Sequence, residues 1–264
     1  MQFDFGKNWS EFSKHALSAE RVEQARRDFQ VLMQDIPLAG KTFLDIGFGQ
    51  GLSLLSAASM GASVIGCDIN PKCAEVVKGN KHYYPELNDV SIPVVIGSIL
   101  NESTVSELRR KAGNDKAFDV VHSWGVLHHT GDMRKALSNA ATLVKPGGYF
   151  VVALYNRHWS SPAWLAIKWT YCKSPNWLQR LTVYAIYPVI WLAKLLVTGK
   201  NPKQKERGMD FFFDVVDWVG GYPYEYGSRQ EVIDLIEPLG FTCDRFSSAI
   251  VPTGCNEFVL SRKA

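Results

Sequence analysis

The segment Phe43-Leu44-Asp45-Ile46-Gly47-Phe48-Gly49-Gln50-Gly51 constrains this chain more than any other stretch. An apolar run enters a turn with glycine at every second position, and a helical pattern from Gly51 to Met60 starts directly after it. Glycine is needed where a backbone turns through positive φ, or where a ligand approaches a main chain on which a Cβ would collide with it. A nicotinamide-binding fingerprint, G-x-G-x-x-G, would require glycine at position 52, and Leu52 stands there instead. Strand, tight turn and helix in this order make one half of a crossover unit, which belongs in a parallel sheet covered by helices.

The flanking sequence repeats that alternation. Val22, Ala25, Phe29, Leu32 and Met33 form an apolar stripe at helical spacing, closed by Pro37 and Gly40. ASVIGCDI (62–69) reads as a second strand, after which Asn70 is placed to cap a helix with Pro71 in its first turn. SIPVVIGSI (91–99) reads as a third strand and Thr104 to Lys111 as a helix. AFDVVHSW (117–124) has the near-continuous apolar character of a strand buried on both faces. A helix with Met133, Ala136, Leu137, Ala140, Leu143 and Val144 inward then runs to Pro146-Gly147-Gly148, and YFVVALY (149–155) is the fifth strand. The alternation lapses over 156–227. It resumes at Ser228 and Glu231, a capping-box pair, and ends in FTCDRFSSA (241–249) and NEFVLSRK (256–263), an expected antiparallel pair. The chain thus divides into an N-terminal helical segment (1–39), a core (40–155), an inserted cap (156–227) and a closing helix with two strands (228–264).

The glycine spacing, with Asp45 just before the turn, resembles motif I of the Rossmann-like (class I) S-adenosylmethionine-dependent methyltransferases. Ser123-Trp124-Gly125-Val126-Leu127-His128-His129-Thr130 resembles the motif that follows the fourth strand in their small-molecule members, among them quinone-biosynthesis methyltransferases. The likeness is strong over roughly residues 40–155 and weak over the last two strands. It implies an α/β fold: a doubly wound, mostly parallel sheet with a final antiparallel strand and a helical cap insertion. It also implies S-adenosylmethionine as cofactor and a small-molecule acceptor methylated on oxygen or nitrogen. Gly47, Gly49 and Gly51 would pass under the amino-acid part of the cofactor, and Asp45 would meet its ammonium directly or through water. Asp68, with Ile69, would accept the ribose hydroxyls. Ser98 and Ile99 would lie near the adenine amine, where many relatives carry Asp, and Ser123 and Trp124 beside the methionine portion. Read without the resemblance, the same residues admit a turn without a ligand, a helix-capping Asp68 and a buried aromatic at Trp124.

His128 and His129 stand where an acceptor would approach, and imidazole is suited to taking a proton near neutral pH. Consecutive side chains point in different directions, so one is expected to face the acceptor and the other to hold structure. The cap holds six of the eight tryptophans, at 159, 164, 169, 177, 191 and 218. Its run from Thr182 to Thr198 is apolar but interrupted by Pro188 and Lys194, and falls short of the ~20 residues of a spanning helix. The cap is read as a lid with its own core, as a subunit interface, or as a peripheral membrane contact with Lys168, Lys173, Arg180 and Lys194 among the tryptophans facing anionic lipid. Tyr222, Tyr224, Glu225 and Tyr226 are candidates for orienting the acceptor, or for an aromatic hinge, and the N-terminal Trp9, Phe12 and His15 for folding over the cofactor.

Composition narrows the partners and the compartment. A formal net charge of +3, no basic stripe and no NPPY-like motif argue against nucleic acid. Five cysteines without CxxC spacing suggest neither disulfides nor a zinc site, and no cluster of metal ligands stands out. The N-terminus lacks the apolar core of a signal peptide, so a cytoplasmic location is expected, at most peripheral to the inner membrane face. The Asn-x-Ser triplets at Asn8 and Asn101 are then chance matches. Nothing in the sequence specifies an oligomeric state. Rival readings are a catalytically silent methyltransferase-like binding subunit and a methyltransferase for lipid-linked acceptors.

Overall fold

A computed structural model describes residues 3–6, 11–13, 16–113, 116–199, 201 and 211–264. Helix α1 (Ala19–Leu32) begins where the Ser18 hydroxyl accepts from the Arg21 N–H, and it buries Val22, Phe29 and Leu32. Then follow β1 (Thr42–Ile46), α2 (Leu52–Ser59), β2 (Ser63–Asp68), α3 (Lys72–Asn80), β3 (Val94–Ile96), α4 (Glu102–Lys111), β4 (Phe118–Trp124), α5 (Met133–Ala141) and β5 (Val144–Tyr155). The cap contributes α6 (Ser161–Lys173), α7 (Asn176–Thr198) and α8 (Phe211–Gly220), and the chain closes with α9 (Arg229–Ile236), β6 (Phe241–Ser247) and β7 (Cys255–Arg262).

The seven strands form one sheet in the order β3-β2-β1-β4-β5-β7-β6. Five run parallel, and β7 pairs antiparallel with both β5 and β6. Alternate side chains of each strand feed two cores. Val121 and Phe150 enter the one that holds α4 and α5, while Val120 and Val151 enter the one beneath α1 and α2. The chain order reverses between β1 and β4. That places a crevice at their carboxyl ends, where open α/β sheets bind ligands.

Several expected boundaries move. The third strand is only three residues long: Pro93, with no N–H for the ladder, bounds its start, and pairing ends at Ile96, so Ser98 and Ile99 lie in the turn beyond the strand, not at its end. Helix α5 stops at Ala141, and Val144 is already paired with Phe118 of β4. The register shifts after that pair, which carries Pro146-Gly147-Gly148 as an irregularity within β5 and not as a helix stop.

The cap has its own core of Tyr171, Val183, Ile190, Phe211, Val215 and Val219. Its two ends meet: Asn156 bridges to Gly227, the Gly227 N–H donates to the Tyr155 carbonyl at 3.0 Å, and the Arg157 N–H donates to the Gly227 carbonyl at 3.2 Å. Helix α7 overturns the sequence expectation of a short, interrupted run. It begins at Asn176 and continues through Pro188 for 23 residues, long and apolar enough by composition to cross a membrane. Two of the cations expected at a lipid interface are instead inside the cap. Lys168 is fully buried, its ammonium donating to the Trp218 carbonyl, and Lys194 pairs with Asp214 at 2.9 Å.

Candidate functional site

A cavity of about 760 Å³ occupies the crevice at the carboxyl edge of β1, β2 and β4. Of the sequence candidates, Asp45, Gly47, Gly49, Asp68, Ile69, Ser98, Ile99, Trp124, His128 and His129 line it. Gly51, Ser123, Tyr222, Tyr224, Glu225 and Tyr226 do not.

Gly47 sits at φ +73°, and a Cβ there would lie 2.3 Å from Val126, so the first turn of the loop admits no other residue without displacement. Gly51 has a different reason to be glycine. It is the N-cap of α2 at φ +80°, packed against Val77, and serves the helix rather than the cavity. Ser123 is fully buried and donates to the Ile46 carbonyl at 2.9 Å, which ties β4 to the end of β1. The strand alternation that turns it inward turns Trp124 outward to the cavity, where its indole N–H donates to Glu257 at 2.7 Å.

Asp68 accepts from the Gly49 N–H at 3.0 Å and, through its other oxygen, from the Asn70 N–H at 2.8 Å. Asn70 in turn accepts from the Lys72 N–H at 3.0 Å, so the capping duty falls to Asn70 while Asp68 fixes the loop before it. Burial raises the Asp68 carboxyl above the ordinary carboxylate value, against the lowering by those two N–H donors. The Cys73 thiol donates to the same carboxylate, whose four lone pairs thus leave one for a ligand. Asp45 is also buried and receives a 2.7 Å hydrogen bond from Nδ1 of His122. No motif marks His122, although β1 and β4 place Asp45 and His122 in register and His122 is a polar residue in a largely apolar strand. Its Nε2 is buried without a hydrogen-bond partner.

The two histidines share a 3-10 turn, Leu127–His129, and their tautomers follow from their partners. The Tyr155 N–H donates to Nδ1 of His128 at 3.2 Å, so the proton of a neutral ring is on Nε2, which is buried and unpartnered. His129 is the reverse: its Nδ1 meets the Pro223 carbonyl at 2.6 Å and must donate, which leaves the lone pair on Nε2. Burial and the neighbouring Lys168 charge push His129 down to about 3, and burial takes His128 well below its usual value. Both rings are therefore neutral near pH 7. Lys168 lies over the Tyr155 and Tyr224 rings at 5.5 and 4.8 Å, and burial brings it down to about 7.

The residues at 222–226, expected to orient the acceptor or to form an aromatic hinge, lie outside the cavity lining. Glu225 accepts from the Met133 N–H at 2.9 Å, at the start of α5, and Tyr224 is buried. Tyr226 lies under Arg157 at 5.1 Å, and the Tyr222 carbonyl accepts from the Phe3 N–H at 2.8 Å. The segment's compact turn, with a cis Tyr222–Pro223 peptide, supports the cavity from behind. In its place the cap presents Asp214, Asp217 and Trp218 to the cavity from α8. The two carboxylates are three residues apart on one face, while Phe211, Val215 and Val219 hold the other in the cap core. The N-terminal covering is also made by residues the sequence did not single out. Phe3, Asp4, Phe5 and Gly6 line the cavity, with Asp4 accepting from the Asn70 amide at 3.0 Å and Phe5 packed on His129 at 4.8 Å. Phe12 is instead buried against Phe213, and Trp9 and His15 lie outside the described residues.

This wall sets two buried carboxylates, Asp45 and Asp68, beside the glycine turn. Ile69 is 53% exposed at the cavity lip, an apolar surface awaiting a flat apolar group.

Residues 18–189 match the family model of a methyltransferase domain. The chain is 33% identical over 122 residues to a ubiquinone biosynthesis O-methyltransferase from Thiobacillus denitrificans, covering 46% of this chain and 47% of that protein. The corresponding protein of Brucella ovis is 36% identical over 121 residues, covering 46% and 44%. These matches span about half the length of each relative. A similarly named protein from Cereibacter sphaeroides is 29% identical over 193 residues, covering 71% and 70%. The fold is similar to that of an O-methyltransferase family protein from Burkholderia thailandensis, with a TM-score of 0.56 at 15% identity over 92% of this chain and 57% of that one. It is also similar to magnesium protoporphyrin IX methyltransferase from Synechocystis with bound SAH, with a TM-score of 0.53 at 15% identity over 93% and 84%. Sheet order, glycine turn and a family match across well over half of the sequence agree, and the chain belongs to the methyltransferase domain family.

Proposed function

We propose that this chain is an S-adenosylmethionine-dependent methyltransferase that methylates an oxygen atom of a small-molecule acceptor. The cofactor supplies a methyl group on a sulfonium and departs as a neutral thioether. The chain's own part is to bind and align. Asp45 and Asp68 hold the polar ends of the cofactor, Gly47 and Gly49 let the backbone approach it, and Ser98, Ile69 and Ile99 flank the adenine. Phe5, Trp124 and Trp218 restrict water and the acceptor's approach, an alignment worth several kcal/mol.

The observation that carries the choice of oxygen is the fixed tautomer of His129. A hydroxyl must lose its proton as the methyl arrives, and a neutral imidazole whose Nδ1–H is anchored on a carbonyl presents Nε2 as the acceptor of that proton. A neutral amine acceptor would need no such group. His128, which already accepts from Tyr155, is the positioning member of the pair. The names of the relatives, O-methyltransferases of ubiquinone biosynthesis, support the same reading.

A second reading gives the enzyme lipid-linked acceptors. It would work in the cytoplasm with the cap against the inner face of a membrane, as the exposed apolar surface of α7 suggests. Both readings are tested by incubating the chain with labelled methyl donor and a panel of phenols, catechols, amines and prenylated phenols, and locating the label by NMR. O-methylation of a phenol or catechol is the expected result. Label found only on nitrogen would overturn the choice of oxygen. Tight cofactor binding with no transfer to any acceptor would favour a silent binding subunit.

A further inference from the structure

We propose that α7 lies in the plane of an anionic membrane surface, with its outward apolar face among the acyl chains and the cap's cations at the headgroups. This deepens the lipid-linked reading above, and it is tested by binding rather than transfer, so that each can fail alone.

The helix is amphipathic in the wrong sense for a protein surrounded by water. Only Val183 and Ile190 are buried, while Leu181, Tyr184, Val189, Leu192, Leu196 and Val197 are more than half exposed. Leu181, Tyr184, the exposed Pro188, Leu192 and Leu196 follow one another at three or four residues as one stripe, with Val189 and Val197 flanking it, and no charged residue on α7 beyond Arg180 is exposed. A contiguous apolar surface of this extent marks an interaction site. At its N-terminal end, Trp177 is 64% exposed and Trp169 lies under the Lys173 ammonium at 3.8 Å. Tryptophan beside lysine is the pairing favoured at a bilayer's headgroup level.

Charge selects the occupant. Between positions 156 and 205 the sequence has eight Lys and Arg and no Asp or Glu, although the whole chain carries only +3. Lys168 and Lys194 are spent inside the cap and Arg157 on Glu231, but Lys173 and Arg180 are exposed beside the stripe. A second copy docking through the same face would offer these cations no counter-charge, because a two-fold contact sets one patch on itself and 156–205 holds no Asp or Glu. An anionic bilayer neutralises them. The helix is long enough to span, but Tyr187 packs on Phe211 at 4.9 Å and Lys194 is paired with Asp214 of α8, which holds α7 flat against the cap. Helix α8, on which α7 packs, presents Asp214, Asp217 and Trp218 to the cavity, and Lys194 of α7 reaches both Asp214 and the Trp218 ring, so a docked cap sets the cavity one helix layer from the lipid.

The test is flotation of the full chain with vesicles of phosphatidylcholine alone and of phosphatidylcholine mixed with phosphatidylglycerol. The chain is expected to float with the mixed vesicles and far less with the neutral ones. Leu192→Asp with Leu196→Asp should reduce the vesicle-bound fraction roughly tenfold or more. Lys173→Glu with Arg180→Glu should remove the preference for anionic lipid. Calorimetric binding of S-adenosylmethionine, unchanged in both double variants, shows that they are folded. Failure of the parent chain to float with either vesicle, or flotation of the Asp double variant like the parent, overturns the proposal. So does a parent chain that ignores vesicles but sediments as a dimer that the Asp double variant dissociates, which would assign the face to a second copy.

Discussion

Lys168 gives the most exacting test of how the cap is assembled. Its ammonium donates to the Trp218 carbonyl and faces the Tyr155 and Tyr224 rings, with no exposed surface, and burial brings it down to about 7. An unfolded lysine titrates near ~10.4, so between the two values the unfolded chain holds a proton that the folded chain has released. Stability must then rise with pH across that window, by at most ~1.4 kcal/mol per pH unit. From about pH 7 to about pH 8.5 the gain from this one group integrates to roughly 1.5 kcal/mol. The window stops short of pH 9, where unfolded thiols ionise while Cys67, pushed up to about 12 by burial, does not. Lys168→Met keeps the volume and removes the titration. The variant loses the hydrogen bond and the ring contacts, so its stability at one pH combines several effects of opposite sign. The informative quantity is the change in the parent-minus-variant difference between the two pH values, taken from urea unfolding followed by tryptophan fluorescence at constant ionic strength. That difference should move in favour of the parent by about 1.5 kcal/mol as pH rises. Parallel pH dependences would refute the reasoning and mean that the ammonium stays charged throughout, with Asp217 and Asp214, whose charges act to hold its proton, outweighing burial.

Three further outcomes are expected. Gly47→Ala, which sets a Cβ 2.3 Å from Val126 at a positive φ, should weaken cofactor binding more than tenfold and lower stability by at least ~1 kcal/mol; near-parent calorimetry and melting would show that the loop yields freely. Asp68→Asn should weaken S-adenosylmethionine binding by ~1–3 kcal/mol, and a folded variant of unchanged affinity would leave Asp68 only its bonds to Gly49 and Asn70. His129→Ala should lower turnover by ~10²–10⁴ at near-constant cofactor affinity, whereas His128→Ala should act mainly on stability. Because burial takes His129 to about 3, the parent's rate should hold as pH falls through ~6.5, while the stability contributed by keeping the ring neutral declines from there downward. An acidic limb near 6.5 that vanishes in His129→Ala would contradict a buried, neutral ring.

Local patterns pointed to the cavity residues at the strand ends and passed over those that the cap brings to it. The glycine turn, Asp68 and the strand-end Trp124 are set by short-range constraints: a strand must end, a helix must be capped, and the side chains at the edge follow. Ser123 shows the limit of that reasoning, since one step along a strand reverses the facing, and only the pairing with β1 reveals which of Ser123 and Trp124 turns to the crevice. The Asp45–His122 contact depends on register between strands 77 residues apart, to which periodicity is blind. In the cap, the aromatic density of 222–226 marks a segment outside the cavity lining, whereas Asp214 and Asp217 belong to no motif and reach the cavity because α8 divides its faces between the cap core and the crevice. Pro188 misled in the opposite direction. Its missing N–H removes one helical hydrogen bond, too little to break a helix whose neighbours all favour continuing.

The bridge between Asn156 and Gly227 has a consequence for how such a chain changes over time. Some seventy residues leave the sheet and return through a neck two hydrogen-bonded strands wide, and the entropy of closing such an excursion grows only logarithmically, by about 0.6 kcal/mol per doubling of its length. A neck of this kind tolerates replacement of everything beyond it. The cap is in that sense a cassette: its length, the side chains it turns to the cavity and its outer surface can be exchanged together, while the strand-end residues of β1, β2 and β4 stay in place. A different insertion grafted between Tyr155 and Ser228 would have to restore only the few contacts that reach back, such as the Pro223 carbonyl on His129.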